Sequence, residues 1–237
     1  MRTIIFPNVK EFDIMDVDMP TLLDGEALIK VEYCGICGSD IHILNGHHPT
    51  AKFPLIPGHE FVGELIEVKG LNPQNLQPGD SVVAQPFFSC GCCEPCADGK
   101  DNVCTSLAIK GVHINGGFAQ YVKVLTRKVY KVPEGVDNQL AAITEPLAVA
   151  VHDVRRSNLA VGESALVIGG GPIGILIALV ARQAGASKVV ISEISDFRRQ
   201  FAQDLGFETV NPLDEDFKQR VNPDGKGYNV VYEVSGT

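Results

Sequence analysis

Basic residues are scarce in this sequence of 237 residues, which has 20 Lys and Arg against 29 Asp and Glu and a formal net charge of −9. Together with the lack of any basic cluster, this acidity argues against a protein that binds the phosphates of nucleic acids. The N-terminal segment lacks the apolar run of a secretory signal, so we expect a cytoplasmic location by default. Internal repeats and low-complexity segments are lacking too.

Long hydrophobic runs are also missing. The one stretch that could be mistaken for a membrane span covers residues 165–181, and Gly169 to Pro172 interrupt it. Because Gly and Pro mark a turn, this stretch predicts a strand, a turn and a helix, and no membrane partner.

Two kinds of residue pattern divide the chain. Over roughly the first 130 residues, short strand-like segments separated by Gly and Pro turns predict an all-β barrel or sandwich. From Leu140 the apolar spacing becomes helical, with an interruption at Pro146. After Gly162 a strand–helix–strand order predicts an α/β domain with a parallel sheet. We therefore place a first domain at residues 1–150 and a second domain at residues 151–237.

A first candidate site lies in the stretch that reads CGICGSDIHILNGHHPTAKFPLIPGHE, residues 34–60. Cys37, His59 and Glu60 offer a thiolate, an imidazole and a carboxylate, and zinc accepts this mixture of ligands. Three protein ligands leave a fourth position for water or substrate, as in a catalytic zinc site. Alternatively, the cysteine is a small buried hydrophobe and the histidine is a hydrogen-bonded polar residue.

Three further residues could belong to the same site. Ser39 and His42 lie between the candidate ligands, and their hydroxyl and imidazole are close enough in sequence to share a proton path. Glu145 stands directly before Pro146, where we expect a break or a helix start. A carboxylate at a break can be directed toward a site, but the local sequence alone favours a solvated acid.

A second candidate site is the cysteine-rich lobe SCGCCEPCADGKDNVC, residues 89–104. Cys90, Cys93 and Cys96 are each separated by two residues, and Cys104 completes a set of four thiolates. This spacing predicts a closed tetrahedral zinc site of the structural kind. The alternative, four free thiols packed as small hydrophobes, is weak because few large apolar residues lie nearby. Cys92 is expected to be a bystander.

A third candidate site begins where an apolar strand, residues 165–168, runs directly into GGGPIG and then into a helix. This order matches G-x-G-x-x-G, whose glycines permit a tight turn and close approach to a pyrophosphate at the helix N-terminus. Alternatively, the glycines only let the helix pack on the strand. The predicted cofactor-binding residues are Gly169, Gly171, Pro172, Ile173, Gly174, Glu193 and Arg198.

The acid at the end of the next strand decides which cofactor we expect. Glu193 has the spacing of a carboxylate that binds the ribose 2′-hydroxyl and would repel a 2′-phosphate, so NAD is favoured over NADP. Arg198 and Arg199 complicate this expectation, because a nearby arginine can accommodate that phosphate. Alternatively, the arginine pair is a solvated helix face.

Together, these motifs resemble those of the zinc-dependent medium-chain alcohol and polyol dehydrogenases, in particular the branch of sorbitol, threonine and sugar-acid dehydrogenases. The matching motifs are CGICGSDIH (34–42), GHE (58–60), GD-V (79–82), the cysteine-rich lobe (90–104), EPLAVAVH (145–152) and GGGPIG (169–174). The resemblance implies a GroES-like β-barrel domain followed by a Rossmann domain, with the active site in the cleft between them. Because family members continue through two more strands, the doubly wound parallel sheet is expected to be incomplete at its C-terminal side.

The resemblance also assigns roles that the local sequence leaves open. A catalytic zinc would be held by Cys37, His59, Glu60 and Glu145, with the two carboxylates bound directly or through water. Ser39 and His42 would form the proton relay, and the four cysteines of the lobe would hold a structural zinc. Full-length members are expected to be homo-oligomers, either dimers or tetramers.

The implied activity is transfer of a hydride between a secondary alcohol and NAD. The glutamate at position 145 favours polar substrates such as polyols, sugar acids or amino alcohols. The alternative, suggested by the greater length of family members, is a catalytically impaired zinc- and nucleotide-binding fragment of such an enzyme.

Overall fold

The computed structural model describes residues 1–236 of the chain. It divides into two compact units, Met1–Glu145 and a second unit that begins at Pro146. Each unit contains its own sheet and its own cluster of buried apolar side chains.

The first unit is built mainly from antiparallel strands. Its strands are β1 (Arg2–Ile5), β2 (Asp13–Asp16), β3 (Glu26–Gly35), β4 (Glu60–Lys69), β5 (Ser81–Ala84), β6 (Phe87–Phe88), β7 (Ala108–Ile109), β8 (Tyr121–Leu125) and β9 (Val129–Lys131). Five strands form one sheet in the order β8-β3-β4-β5-β9, while β1–β2 and β6–β7 form two small sheets. The expectation that the first domain is organised around β-strands is confirmed.

The core of the first unit comes from the central strands of the five-stranded sheet. Ala27 and Ile29 of β3, Leu65 of β4, and Val122 and Val124 of β8 are almost fully buried and contact one another. Burial of each branched side chain contributes about 1.5–3 kcal/mol, so this cluster fixes the pairing of β3 with its neighbours.

Short helices occupy the loops of the first unit. They are α1 (Gly38–Leu44), α2 (Glu94–Ala97) and α3 (Asn138–Ala141), and a longer helix, α4 (Thr144–Ser157), begins at the end of the unit. Helix α1 starts immediately after Cys37, which is its N-cap residue. Ile43 of α1 is completely buried among Phe6, Leu55 and Val112, so packing holds this helix in place.

The second unit alternates strands and helices. Its elements are β10 (Ser164–Ile168), α5 (Pro172–Gln183), β11 (Lys188–Ser192), α6 (Asp196–Asp204), β12 (Glu208–Val210), α7 (Phe217–Val221) and β13 (Val230–Glu233). The strands form a parallel sheet in the order β12-β11-β10-β13. This is the arrangement of the first four strands of a doubly wound sheet, so the expectation of a partial Rossmann sheet is confirmed.

Apolar strands and one apolar helix face form the core of the second unit. Val167 and Ile191 are fully buried in neighbouring strands, and Ile177, Ala178 and Ala181 of α5 pack against them. Residues 165–181 thus form the strand, turn and helix that the sequence predicted. Among the helices of residues 1–236, none is both long and apolar enough to cross a membrane.

Candidate metal and cofactor sites

The pairing of β3 with β4 brings the first set of candidate ligands together. Gly35, at the end of β3, pairs with Glu60, at the start of β4. A Cβ atom at Gly35 would overlap the carboxylate of Glu60, so the lack of a side chain lets that carboxylate lie over the β3 backbone. Cys37 follows β3 by two residues and His59 directly precedes β4. The register of one strand pair therefore places all three candidates at one end of the sheet.

Cys37, His59 and Glu60 form a compact group of possible metal ligands. One ligand atom from each residue lies within 4.8 Å of the other two. His59 and Glu60 are 8% and 9% exposed, and Cys37 is half-buried. Small side-chain adjustments would bring a sulfur, a nitrogen and an oxygen to the distances that zinc requires, about 2.0–2.3 Å.

The electrostatics of this group also fit a cation. Burial alone would lower the pKa of His59, but its hydrogen bond to Cys37 and the charges of Asp40, Cys37 and Glu145 raise the pKa to about 9. The His59 Nδ1 atom is buried without a hydrogen-bond partner, 3.8 Å from Asp40 Oδ1. The surroundings of the imidazole are thus strongly anionic, and positive charge is favoured there.

Glu145 lies near this group but outside the three-ligand set. It is the second residue of α4, and burial raises the pKa of its carboxyl, an effect that Glu60 strengthens and His59 opposes. Burial likewise raises the pKa of Glu60, against the opposing influence of His59 and Cys37. The structure therefore brings three of the four predicted ligands together and places the fourth within electrostatic reach of them.

Ser39 and His42 both lie on α1, next to the candidate ligands. The Oγ atom of Ser39 is buried and has no hydrogen-bond partner within residues 1–236, so the two residues form no direct hydrogen bond. His42 is exposed, with its ring centroid 6.2 Å from that of His47. An orphaned buried hydroxyl two residues from Cys37 can donate to, or accept from, a molecule that enters the site.

Asp40 supports the site, although the sequence reasoning did not single it out. This carboxylate is 1% exposed and accepts hydrogen bonds from the backbone N–H groups of Cys37, at 2.9 Å, and Gly58, at 3.2 Å. Asp40 therefore links the backbone of Cys37, a candidate ligand, to the backbone of Gly58, which directly precedes the candidate ligand His59. An acid three positions after an N-cap residue is a recognised capping signal, and that signal could have identified it.

The cysteine-rich lobe brings its four predicted ligands together. Sulfur–sulfur distances are 3.5 Å for Cys90–Cys104, 3.8 Å for Cys93–Cys104 and 4.0 Å for Cys90–Cys96. These are too long for disulfides, and the cysteines are free. A tetrahedron of sulfurs about 2.3 Å from a zinc ion has edges of about 3.8 Å. The observed distances therefore fit a structural zinc closely, whereas Cys92 lies outside the group.

Backbone N–H groups point at the sulfurs of the lobe. Cys104 Sγ accepts hydrogen bonds from the N–H groups of Cys90 and Ser106, both at 3.3 Å. The N–H groups of Thr105 and Cys96 lower the pKa of Cys93 to about 6. Such donors stabilise thiolates, which are the form of cysteine that binds a metal.

The glycines of the glycine-rich turn differ in what a side chain would contact at each position. Gly169 has a φ of +105°, and a Cβ there would lie 2.9 Å from Ser235 N and Val234 O. A Cβ at Gly174 would overlap the carbonyl oxygen of Gly169. By contrast, a Cβ at Gly171 would meet nothing within 4 Å. The first and last glycines are thus needed for packing, while the middle one leaves open space at the start of α5.

The N-terminus of α5 is suited to an anion. Its N-cap residue, Gly171, has no side chain to cap the free N–H groups, and the exposed Pro172 occupies the first turn. These N–H groups and the helix dipole favour a phosphate. Ile173, also predicted to bind the cofactor, is partly buried against the core of the second unit instead.

Glu193 lies against the same turn. It is 5% exposed, and its carboxylate accepts hydrogen bonds from the N–H groups of Gly170, at 2.7 Å, and Ser195, at 2.8 Å. Burial alone would raise the pKa of Glu193, but these two N–H groups and the charge of Arg198 lower it. Arg198 Nη1 lies 3.7 Å from the carboxylate. The acid is therefore ionised and fixed next to the glycine turn.

Comparison with known proteins identifies the family and its two domains. Residues 23–134 match the alcohol dehydrogenase GroES-like domain, and residues 172–237 match the zinc-binding dehydrogenase domain. The 2-dehydro-3-deoxy-L-galactonate 5-dehydrogenase of Pseudoalteromonas atlantica is 40% identical over 96% of this chain and 67% of its own length. The chain belongs to the zinc-binding dehydrogenase family. The family resemblance and the combination of a GroES-like with a Rossmann domain are thereby confirmed.

Other members of the zinc-binding dehydrogenase family are similar over the same part of their length. The L-threonine 3-dehydrogenase of Bacillus velezensis is 40% identical over 94% of this chain and 66% of its own. A crystal structure from Sinorhizobium meliloti bound to NADP has a TM-score of 0.92 and 34% identity, over 100% of this chain and 70% of that one. The Escherichia coli rspB alcohol dehydrogenase complexed with NADH has a TM-score of 0.91 and 33% identity, over 99% of this chain and 69% of that one. The chain thus spans about two thirds of the length of the relatives it matches.

Proposed function

We propose that this chain is part of a zinc- and NAD-dependent oxidoreductase that transfers a hydride between a secondary alcohol and the nicotinamide. The observation that carries this proposal is the convergence of Cys37, His59 and Glu60 within 4.8 Å at the end of one strand pair. A mixed set of three protein ligands suits a catalytic zinc, because it leaves a position for the substrate oxygen. The family membership supports the same reaction class.

Cys37, His59 and Glu60 would hold the catalytic zinc, and Glu145 would be a second carboxylate able to exchange with Glu60. A zinc ion held there would act as a Lewis acid and would favour loss of the proton from a substrate alcohol. Asp40 orients Cys37 and the backbone before His59 through its two hydrogen bonds. The four cysteines of the lobe would hold a structural zinc, whose binding would stabilise a segment with little apolar core.

Ser39 and His42 would move the substrate proton. The buried hydroxyl of Ser39 has no partner of its own, so it can take the proton of the substrate alcohol while it passes its own hydroxyl proton on. Because Ser39 and His42 form no direct hydrogen bond, that proton would reach the exposed imidazole of His42, one turn further along α1, through an intervening water or hydroxyl group and would then pass to solvent.

The glycine turn and Glu193 would bind the adenosine half of NAD. The open space at Gly171 and the free N–H groups of α5 suit the pyrophosphate. The ionised carboxylate of Glu193 can accept a hydrogen bond from a ribose 2′-hydroxyl but would repel a 2′-phosphate. The nearby carboxylate of Glu193 neutralises part of the charge of Arg198, so Arg198 is less available to bind a phosphate. We therefore favour NAD, although related structures contain NADH or NADP.

The substrate class we propose is a small polar alcohol: a polyol, a sugar acid or an amino alcohol. Named relatives act on a sugar acid or on L-threonine, and both compounds carry a hydroxyl that can be oxidised. A homo-oligomeric full-length enzyme and a cytoplasmic location stay predictions from the family resemblance.

A direct test follows NADH absorbance while the zinc-loaded chain is mixed with NAD and a panel of polyols, sugar acids and amino alcohols. We expect turnover that disappears in Cys37→Ser and after chelation of zinc. Turnover that survives both treatments would rule out the mechanism. A chain that binds zinc and NADH yet turns over none of these alcohols would support the alternative of a nucleotide-binding fragment.

A further inference from the structure

Helix α3 packs on the sheet of the first unit, on the same side as one candidate zinc ligand. Ala141 and Ala142, at the C-terminal end of the helix, are buried in one cluster with Val62 of β4. Because side chains alternate between the two faces of a strand, Val62 shares its face of β4 with Glu60. Phe61, between them, belongs to the core cluster on the other face. Helix α3 therefore lies on the face of β4 that carries Glu60.

One side chain fixes α3 to the strands on both sides of β4. Asn138, the first residue of α3, accepts a hydrogen bond at Oδ1 from the hydroxyl of Ser81 on β5. Its Nδ2 atom donates to Glu32 Oε2 on β3, at 2.7 Å. Because an ionised carboxylate only accepts hydrogen bonds, this contact decides which end of the amide faces each strand. Since β4 lies between β3 and β5, the Asn138 amide spans the strand that begins at Glu60.

The turn between α3 and α4 determines where Glu145 lies. Only residues 142 and 143 separate the two helices, and both donate their N–H groups back to carbonyl oxygens of α3, at 3.0 and 3.2 Å. Thr144 begins α4, and its hydroxyl donates to the Ala141 carbonyl oxygen, at 2.7 Å. A continuous series of hydrogen bonds therefore connects Asn138 with the residue directly before Glu145.

Glu145 needs a fixed backbone because it lies near a second carboxylate. Burial raises the pKa of the Glu145 carboxyl, His59 opposes this effect, and Glu60 strengthens it. Two carboxylates that share a site repel each other unless a cation is bound between them. A side chain on a mobile segment would turn toward solvent and relieve this repulsion. The packing and hydrogen bonds of α3 oppose that movement.

We propose that Asn138 is a positioning residue that holds α3 on β4 and thereby keeps Glu145 beside the candidate zinc ligands. This inference rests on the proposed function, because it concerns the zinc of that same site. Asn138 is not itself a candidate ligand, so its effect on the metal acts through Glu145. Loss of its two hydrogen bonds would let α3 shift along β4, and Glu145 would lose its fixed place next to Glu60.

The test is a double-mutant cycle on zinc affinity, measured on the zinc-loaded chain by competition with a chelator of known affinity. The relevant zinc ion is the one that Cys37→Ser removes. We expect Asn138→Ala and Glu145→Gln each to lower the affinity of this site by about tenfold. In the Glu145→Gln background, Asn138→Ala should have an effect of less than about twofold, because the two residues act on zinc as one unit.

Asn72→Ala is a matched control for the loss of a half-buried asparagine. Asn72 also makes two hydrogen bonds, both with the backbone of Leu76, in the loop between β4 and β5. We expect Asn72→Ala to lower the urea concentration at which the chain unfolds, as Asn138→Ala does, but to leave zinc affinity unchanged. The comparison separates an effect on the metal from a general loss of stability.

An equal loss of zinc affinity from Asn138→Ala in both backgrounds would overturn the inference in favour of a purely structural role. Unchanged affinity in Asn138→Ala would overturn it as well. If Asn138→Ala does not fold, Ser81→Ala removes only one of the two hydrogen bonds; it should weaken zinc binding by about threefold, and only while Glu145 is present. A parent chain without the zinc that Cys37→Ser removes would refute the proposed function and the inference together, whereas the other outcomes refute the inference alone.

Discussion

Replacing Asp40 with asparagine tests whether the candidate zinc site is preorganised by the buried carboxylate behind it. Asp40→Asn keeps the shape of the side chain but leaves only one oxygen for two backbone donors, the N–H groups of Cys37 and Gly58. The amide nitrogen must then face one of these N–H groups. The variant also removes the negative charge 3.8 Å from His59 Nδ1.

The expected loss can be worked out from these contacts. One charge-assisted hydrogen bond is lost, at about 1.5–3 kcal/mol, and a buried donor is left unsatisfied at a site that is 1% exposed. We therefore expect a decrease of about 2–3 kcal/mol in the free energy of unfolding of the zinc-loaded chain. Because Asp40 orients two segments that carry ligands, zinc affinity should fall by about 10–100-fold.

The assay is competition for zinc with a chelator of known affinity, combined with urea denaturation of the loaded protein. Asp16→Asn is a matched control, because Asp16 is exposed on β2. Asp16→Asn should change neither the affinity for zinc nor the free energy of unfolding. If Asp40→Asn binds zinc as tightly as the parent and unfolds at the same urea concentration, the supporting role of Asp40 is refuted.

Further predictions concern stability and cofactor binding. Burial lowers the pKa of Lys110 from 10.5 to about 8, so the unfolded chain binds the proton more tightly and stability should rise between pH 8 and pH 10.5. In urea denaturation, Lys110→Met should not show this rise. Its free energy of unfolding at pH 7 should exceed that of the parent by up to about 3 kcal/mol, reduced by the contribution of the lost hydrogen bond from Lys110 Nζ to Asn115 O. An unchanged pH profile would contradict the burial argument. Gly171→Ala should leave the thermal midpoint unchanged but weaken NADH binding in a fluorescence titration, because its Cβ enters open space. Gly174→Ala should instead lower the thermal midpoint, because its Cβ overlaps Gly169 O; identical behaviour of the two variants would argue against a ligand role for Gly171.

The sequence predicts well those parts of the fold that depend on residues close together in the chain. The strand, glycine turn and helix at residues 164–183 occur as expected, because Gly174 is required by its contact with Gly169 within that segment and Gly169 itself has a φ of +105°. The cysteine-rich lobe is likewise local, since its four ligands lie within 15 residues of one another. Such patterns need no knowledge of the rest of the chain.

What the sequence could not predict depends on contacts between distant residues. Strict alternation along β3 would place Tyr33 on the same face as the buried Ile29, but a register shift between Val31 and Tyr33 interrupts the alternation, and Tyr33 is 42% exposed. Such a shift is determined by the partner strand. The contact of Thr50 with His113 joins residues that are 63 positions apart, so local spacing contains no sign of it.

The candidate zinc site lies between these two cases. Its residue types were visible in the sequence, but their convergence depends on the pairing of Gly35 with Glu60. The local sequence favoured a solvated Glu145, and only the family resemblance indicated a role near zinc. In the structure, Glu145 is close enough to influence the pKa of His59 yet lies outside the three-ligand group. Its role as a ligand stays a prediction.

The most direct test of the account is the zinc content of the purified chain and of two variants, measured by atomic emission. We predict about two zinc ions per parent chain, and about one per chain in Cys37→Ser, with the cysteine-rich lobe still loaded. Cys104→Ser should instead lose the zinc of the lobe. A parent chain with a single zinc that Cys37→Ser retains would contradict the claim that Cys37, His59 and Glu60 form a metal site.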